Sequence, residues 1–384
     1  MLVTYNSPNR PIHYQYAAAL AAAGCLKAFV SGFSRFSPRS PLPEVGDRLI
    51  RADHVQNLFL AGLKFRLPVA VNDELAYWSK LWLDHLSEEP ARNSDLFLFY
   101  NGAGLGTARR LRGTGVVRVV EVVNSHVLLQ EEILREEHAR LKLPFRPFHK
   151  RETARRVREY EEADAILCPS EFARLSFIER GIPEGKIMKV VYGLTLEPVE
   201  RRADRDPDLF RVLYVGQISI RKGLRYLVEA FDKLKRPGKE LLIVGPRAPV
   251  TGLEGMSIPA GVKFAGTLKD AGLAAAYRSA SVFVLPSVED GMGLVMGEAL
   301  SFGVPVIATV NTGAADLFTT GVEGWRVPIR DPEAIREKLQ LLADDPAALA
   351  AMSASAAARS RAQGGWDAAG RLLVENLRSL TNRR

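Results

Sequence analysis

The sequence predicts two doubly wound α/β domains, each a largely parallel sheet flanked by helices, facing one another across a cleft. Three observations carry that reading. A chain of 384 residues is longer than one ordinary core and suits two units of roughly 150 to 200 residues. From residue 211 onward, apolar runs of strand length alternate with helical stretches, the spacing of a parallel sheet covered by helices on both faces. Between Thr195 and Asp208 the composition turns polar and charged, with Pro198 and Pro207 as breakers, which marks the expected domain boundary. The expected units are residues 1–195, residues 196–365, and a terminal helix over 366–384 that crosses back to the first domain.

In the first unit, residues 2–5 read as a strand, 14–23 as an Ala-rich helix and 26–30 as a second strand. Residues 95–100 and 116–123 are apolar runs suited to central parallel strands, and 102–106 opens a short helix between them. Residues 163–170 form a further strand, and Ser170-Glu171 starts a helix ending at Gly181. In the second unit, strands are expected at 211–215, 240–244, 262–264, 281–285 and 304–309, followed by terminal helices at 346–362 and 366–380.

Hydrophobic residues at 47% and charged residues at 25% are close to globular averages, which excludes large-scale disorder. No apolar run reaches the roughly 18 residues of a membrane span, and the N-terminal residues lack the basic start of a signal peptide. The expected location is the cytoplasm, with peripheral attachment to the inner membrane face as the refinement argued below. Cys25 and Cys168 are far apart and flanked by core-like residues, so they read as buried free thiols rather than a disulfide or metal pair.

A net charge of +8 directs attention to basic surfaces. Residues 135–158 hold nine Lys or Arg against three Glu, interleaved with Leu141, Leu143, Phe145 and Phe148. The plain reading is a solvated helix-loop-helix surface with anchoring aromatics. The sharper one is a patch that meets an anionic membrane surface or a lipid-pyrophosphate acceptor. Nucleic acid is not an expected partner, because no helix-turn-helix, zinc-finger or RNP-like pattern accompanies the charge.

Two motifs carry chemistry. Asp290 and Glu298 lie eight residues apart across Gly291-Met292-Gly293-Leu294, between an apolar strand at 281–285 and a helix over 293–302 that Gly303 and Pro305 stop. The glycines fall where backbone N–H groups fan out at a helix N-terminus, suited to a phosphate or a hydroxyl-rich ring, so the element reads as a sugar-nucleotide pocket. Gly216-Gln217 and Arg221-Lys222-Gly223 follow the first strand of the second unit and open the helix 224–234. Adjacent cations at a helix N-terminus oppose its dipole, which an anionic ligand would explain.

These motifs, together with Gly303-Val304-Pro305-Val306-Ile307-Ala308, resemble the retaining glycosyltransferases of the GT-B fold, family 4. Ala163 to Phe172, Gly181-Ile182-Pro183 and Tyr192-Gly193 look like that family's interdomain region, and Gly321 to Pro328 look like its C-terminal section. The resemblance runs from Ala163 to the C-terminus and is faint before Asp95. It implies two Rossmann-like domains and transfer of a sugar from a nucleoside diphosphate sugar to a hydroxyl acceptor. It implies that Glu298 binds the ribose hydroxyls and Asp290 the donor sugar, while Gly216, Gln217, Arg221, Gly291, Met292, Gly293 and Leu294 line the donor site. Lys222 would stabilise the leaving diphosphate, a charge that a preorganised ammonium and a helix N-terminus can hold without a metal or other cofactor. His126, just after a strand end, is the expected active-site histidine, and Arg10 and His13 complete the acceptor side.

Three departures from the family pattern stand out. Asp290 occupies a position usually held by Glu, and Gln217 one often held by Arg, for which Arg221 is the expected substitute. The usual glycine-rich first loop is replaced by residues 6–13, with Arg10 as the available cation. Glu289 reads as an exposed loop residue, and Asp204-Arg205-Asp206 as a solvated hinge rather than a metal site. The rival readings are a sugar-nucleotide epimerase of the same fold and a degenerate donor-binding subunit.

Overall fold

The structure, a computed structural model, describes residues 1–8, 12–37, 43–194 and 208–382. The N-terminal domain contains β1 (Val3–Ser7), α1 (His13–Ala22), β2 (Leu26–Ser31), β3 (Leu49–Arg51), α2 (His54–Lys64), α3 (Val69–Arg92), β4 (Leu96–Tyr100), α4 (Leu105–Arg110), β5 (Val117–Glu121), α5 (Val127–Arg140), α6 (Lys150–Glu162), β6 (Ala165–Cys168), α7 (Glu171–Ile178) and β7 (Ile187–Lys189). The C-terminal domain contains β8 (Phe210–Val215), α8 (Leu224–Asp232), β9 (Lys239–Val244), β10 (Val262–Gly266), α9 (Asp270–Ser279), β11 (Val282–Leu285), α10 (Leu294–Ser301), β12 (Val306–Thr309), α11 (Ala314–Leu317), β13 (Gly324–Val327), α12 (Pro332–Asp344), α13 (Pro346–Ala362) and α14 (Gly365–Asn382).

The first sheet runs β3-β2-β1-β4-β5-β6-β7 and the second β10-β9-β8-β11-β12-β13, with every pairing parallel. In each sheet the chain winds outward from the middle and then reverses, between β1 and β4 and between β8 and β11. Crevices open at the carboxyl ends of strands at such reversals, and both motifs of the second domain follow the reversal strands β8 and β11. β11 and β12 are continuous apolar runs because helices cover both faces, and every residue in them is buried. Cys25 and Cys168 are buried free thiols.

Two Asp-Pro pairs start the final helices. Asp331 accepts from the Ala334 amide at 2.9 Å and Asp345 from the Ala348 amide at 2.9 Å, with proline at the first helical position of each. α14 lies on the N-terminal domain. Gly370 meets Ala19 of α1, and Trp366 stacks on Tyr192 with its edge toward Tyr16.

The sequence signals did not foresee the α2–α3 hairpin or the three- and four-residue strands β3, β7 and β13. α3 mixes exposed apolar, buried polar and proline positions along 24 residues, so its periodicity is blurred. One face of α3 instead meets the basic window. Asp73 pairs with Arg146, Glu74 with Arg151 and Asp84 with the buried Arg155. Five of the nine cations of that window, Arg135, Arg146, Arg151, Arg155 and Arg156, face carboxylates of this chain. Three of these, Arg146, Arg151 and Arg155, tie the window to α3, whereas Arg135 and Arg156 pair within their own helices with Glu131 and Glu152.

Candidate functional site

Lys222 closes a single 3₁₀ turn over Ile220–Lys222, and Gly223 follows in the left-handed region at φ 62°. A Cβ on Gly223 would overlap the Pro286 carbonyl oxygen, so only glycine lets the loop after β8 lie against the loop after β11. That approach brings the Lys222 ammonium onto the Asp290 carboxylate. Burial opposes ionisation of Asp290, but Lys222 and Arg221 outweigh it and hold the carboxyl below its ordinary range, helped by the Met292 amide.

Arg221 points the other way, across the domain boundary. Its Nε donates to the Glu289 carboxylate at 2.6 Å and carbonyl at 3.1 Å, and a terminal nitrogen donates to Asn124 Oδ1 at 2.6 Å. Glu289 is fully buried and also accepts from Ser125 Oγ and Gln130 Nε2, each at 2.8 Å. The expectation of an exposed loop residue was therefore wrong: a buried carboxylate needs compensation, and Glu289 obtains it from both domains. Arg221 has a carboxylate of its own, which leaves Lys222 as the cation nearer the glycine turn.

Glu298 sits half-buried on α10, with one oxygen accepting from Tyr277 Oη at 2.7 Å. Gly293 precedes the helix at φ 72°, and among the described residues no side chain caps α10. A Cβ on Gly291 would overlap the Val123 carbonyl oxygen of the other domain, so this glycine permits the domains to touch. Met292 packs against Gly313, and Leu294 begins the helix. Gly216 follows β8, and exposed Gln217 is fixed through its carbonyl, which accepts from Tyr214 Oη at 2.8 Å.

The N-terminal side is arranged differently. His126 caps α5, its Nδ1 accepting from the Leu128 amide at 3.3 Å, and its ring lies between Tyr160 and Phe177. Burial first, then Arg180, lowers its pKa to about 4. His13 is buried, with Nδ1 2.8 Å from Tyr5 Oη and 3.0 Å from Glu121. Arg10 and the Asp204-Arg205-Asp206 segment lie outside the described residues. Glu137 with Tyr226 and Arg330, Ser170 with Gly291, and Lys189 with Asp316 join the halves elsewhere. Asn124, Ser125 and Gln130 reach the Arg221–Glu289 pair of the other domain, and sequence reasoning missed all three. The available signal was the position of Asn124-Ser125 at the end of β5, one step before the more conspicuous histidine.

A cavity of about 480 Å³ lies beside this junction, with Arg221, Asn124 and Gln130 on one side and Arg146, Phe148 and Arg156 among its other walls. Asp73 and Ala76 of α3 also line it. Among the described residues no cluster of His, Cys, Asp or Glu is arranged to hold a metal ion, and no helix is long and apolar enough to cross a membrane.

Residues 210–345 match the family model described as glycosyl transferases group 1. A putative colanic acid biosynthesis glycosyltransferase of Salmonella typhimurium is 25% identical over 261 residues, 64% of this chain and 61% of its own length. The sulfoquinovosyl transferase of Arabidopsis thaliana is 35% identical over 124 residues, 32% of this chain and 24% of its own length. The chain thus spans less than two thirds of these curated relatives. Sucrose-phosphate synthase from Thermosynechococcus elongatus superposes with a TM-score of 0.75 over 100% of both chains at 20% identity. Anabaena HepE in complex with UDP superposes with a TM-score of 0.66 over 99% of this chain and 100% of its own at 14% identity. These likenesses place the two facing Rossmann-like domains in the GT-B fold.

Proposed function

We propose that this chain, whose C-terminal domain belongs to the glycosyl transferases group 1 family, moves a sugar from a nucleoside diphosphate sugar to a hydroxyl acceptor with retention at the anomeric carbon. The observation that carries the reading is the Lys222–Asp290 pair beside the uncapped N-terminus of α10, with Glu298 further along the same helix. An incoming diphosphate competes with Asp290 for Lys222 and accepts from the turn amides of Gly291 to Leu294. Asp290, released from that pair, accepts from donor-sugar hydroxyls, and Glu298 accepts from the ribose. HepE has been captured with UDP and with UDP-glucose, which supports a nucleotide-sugar donor.

In the transfer step the bond from the anomeric carbon to the diphosphate oxygen breaks and a bond to the acceptor oxygen forms on the same face. The acceptor proton passes to the departing diphosphate. Negative charge builds on that oxygen, where Lys222 and the helix N-terminus stabilise it with no metal ion required. Glu289 is held by Arg221, and Asp290, once the diphosphate has displaced it from Lys222, is taken up by donor-sugar hydroxyls, so in this reading neither carboxylate acts as the nucleophile. We read the acceptor as a hydroxyl of a lipid-linked or cell-surface glycan met at the inner membrane face. The relative named for colanic acid biosynthesis supports that class.

Incubation with UDP-, GDP- and ADP-sugars and glycolipid acceptors, with NMR assignment of the product anomer, tests the reading. A retained anomer is expected, and an inverted one would sink the mechanism. Conversion of donor without acceptor would favour the epimerase, and tight donor binding without nucleotide release would favour a binding subunit.

A further inference from the structure

The tip of the α2–α3 hairpin is an exposed surface both apolar and basic. Residues 63–71, Leu63-Lys64-Phe65-Arg66-Leu67-Pro68-Val69-Ala70-Val71, are all exposed. Phe65 is 74% exposed, Val69 60%, and Leu58, one turn before the tip on α2, 61%. Monomeric proteins rarely leave contiguous apolar patches of this kind uncovered without a binding role. The charge is as one-sided as the hydrophobicity: Lys64 and Arg66 are cations, and no carboxylate occurs between residues 54 and 72.

The tip is also a built turn. Leu67 N–H donates to the Gly62 carbonyl at 2.9 Å, Asn72 Nδ2 donates to the Leu67 carbonyl at 2.9 Å, and Arg66 adopts φ 55° to reverse the chain. Gly62 lies so close to Asn72 that a Cβ would overlap its side-chain oxygen. All hydrogen bonds recorded for residues 63–71 stay within the hairpin. Behind the tip, α3 is fastened to the body through Asp73–Arg146 and Glu74–Arg151.

We propose that this tip docks on an anionic lipid bilayer, with Leu63, Phe65, Leu67 and Val69 entering the headgroup–acyl boundary and Lys64 and Arg66 meeting lipid phosphates. Apolar residues interleaved with cations, free of carboxylates, match the chemistry of an interfacial anchor. A second copy of this chain is the poorer occupant, because Lys64 and Arg66 of two tips would face like charge with no carboxylate between them. The location supplies the consequence. Asp73 and Ala76, which line the interdomain cavity, follow Val69 by about 6 and 10 Å along α3. A lipid-borne acceptor would therefore enter that cavity with its chains still in the bilayer, a consequence that rests on the transfer reading whereas the docking does not.

Co-sedimentation of the full chain with vesicles tests the docking. Wild type should bind phosphatidylcholine vesicles containing roughly a third phosphatidylglycerol, and bind pure phosphatidylcholine vesicles less well. The Leu63→Ser/Phe65→Ser variant should lose about tenfold or more in partitioning, and Lys64→Gln/Arg66→Gln should lose the preference for anionic vesicles. These side chains are exposed, so the variants should keep the wild-type melting temperature and its rise with nucleoside diphosphates. Binding unchanged in Leu63→Ser/Phe65→Ser would overturn the proposal, as would wild type failing to bind anionic vesicles at low salt. So would a wild-type dimer, seen by sedimentation velocity without lipid, that Phe65→Ser dissociates. Absence of any thermal response to nucleotides would instead count against the donor reading and leave the vesicle result standing.

Discussion

The N-termini of α4 and α10 are the same device put to opposite uses. Each follows a glycine-containing turn after a central strand, at the end of a sheet that borders the cleft. At α4 the amides of Gly104 and Leu105 donate to Glu159, both at 2.9 Å, and those of Gly106 and Thr107 donate to Asp84 at 2.7 and 2.9 Å. Two internal carboxylates thus fill the anion site that a helix N-terminus offers, and Arg155 joins them into one buried cluster. At α10 no side chain caps the helix among the described residues, and the nearby carboxylate, Asp290, is held by Lys222 and by the Met292 amide of the preceding turn. A helix end filled by internal anions is a strut, and under the proposed transfer reading the end without a side-chain cap, beside a cation, is a receptor.

The sharpest way to break this comparison is to remove the cation. Lys222→Met should lower turnover by on the order of a hundredfold or more, since it takes away the charge proposed to meet the leaving diphosphate. Donor affinity should fall much less, because Glu298 and the turn amides remain. Steady-state kinetics at saturating donor, beside donor affinity from calorimetry, separate the two. A variant with weakened binding and intact turnover would make Lys222 a docking group and undo its role in the transfer step.

How much of this was legible in the sequence follows the same division. The α10 element was readable because its constraints are local: a strand, a glycine turn that bends back on Leu285, and a helix, all between Val282 and Ser301. Gly223 and Gly291 announce close backbone approaches, although the sequence does not say to what, and one of the two partners proved to be the other domain. The α4 cluster was unreadable because Asp84 and Glu159 come from helices 75 positions apart in the chain. Glu289 failed for that reason too, since Ser125 and Gln130, which make its burial tolerable, lie more than 150 residues earlier. In the basic window net charge records nine cations without recording the carboxylates that face five of them, three from α3 and two from the cations' own helices.

The next test exchanges charge for shape at the strut. Glu159→Gln keeps the outline but removes an acceptor whose pKa burial pushes up to about 7 against Arg155 and the Gly102 and Gly104 amides, leaving Arg155 with Asp84 as its carboxylate and setting an amide nitrogen among backbone donors. Loss of about 2–4 kcal/mol of stability is expected, because a buried acceptor with several donors is broken on one side. Denaturant unfolding measures the loss, and donor affinity of the folded fraction should be unchanged. A matching loss of donor affinity would show that the two helix ends are coupled, and the division into strut and receptor would fail.

The smallest effect on turnover is expected at His126, and it is the most discriminating for the N-terminal side. Its imidazole caps α5 and is packed between aromatic rings, where burial and Arg180 keep it neutral down to about pH 4. In the unfolded chain the same group takes its proton near 6.5. Between these values the unfolded state binds more protons than the folded one, so stability falls as the pH is lowered from about 6.5 toward 4, by up to about 3 kcal/mol. His126→Asn keeps a capping acceptor and removes the titration. The variant should be somewhat less stable at neutral pH through lost ring packing, yet its stability should decline less steeply across that acid window. Turnover at pH 7 should stay within about threefold of wild type, the scale of a disturbed positioning residue rather than the hundredfold or more of a lost proton-transfer group. A hundredfold loss with an unaltered acid profile would bring the imidazole into the chemistry and make the N-terminal side, too, a place where a helix end was kept open for substrate.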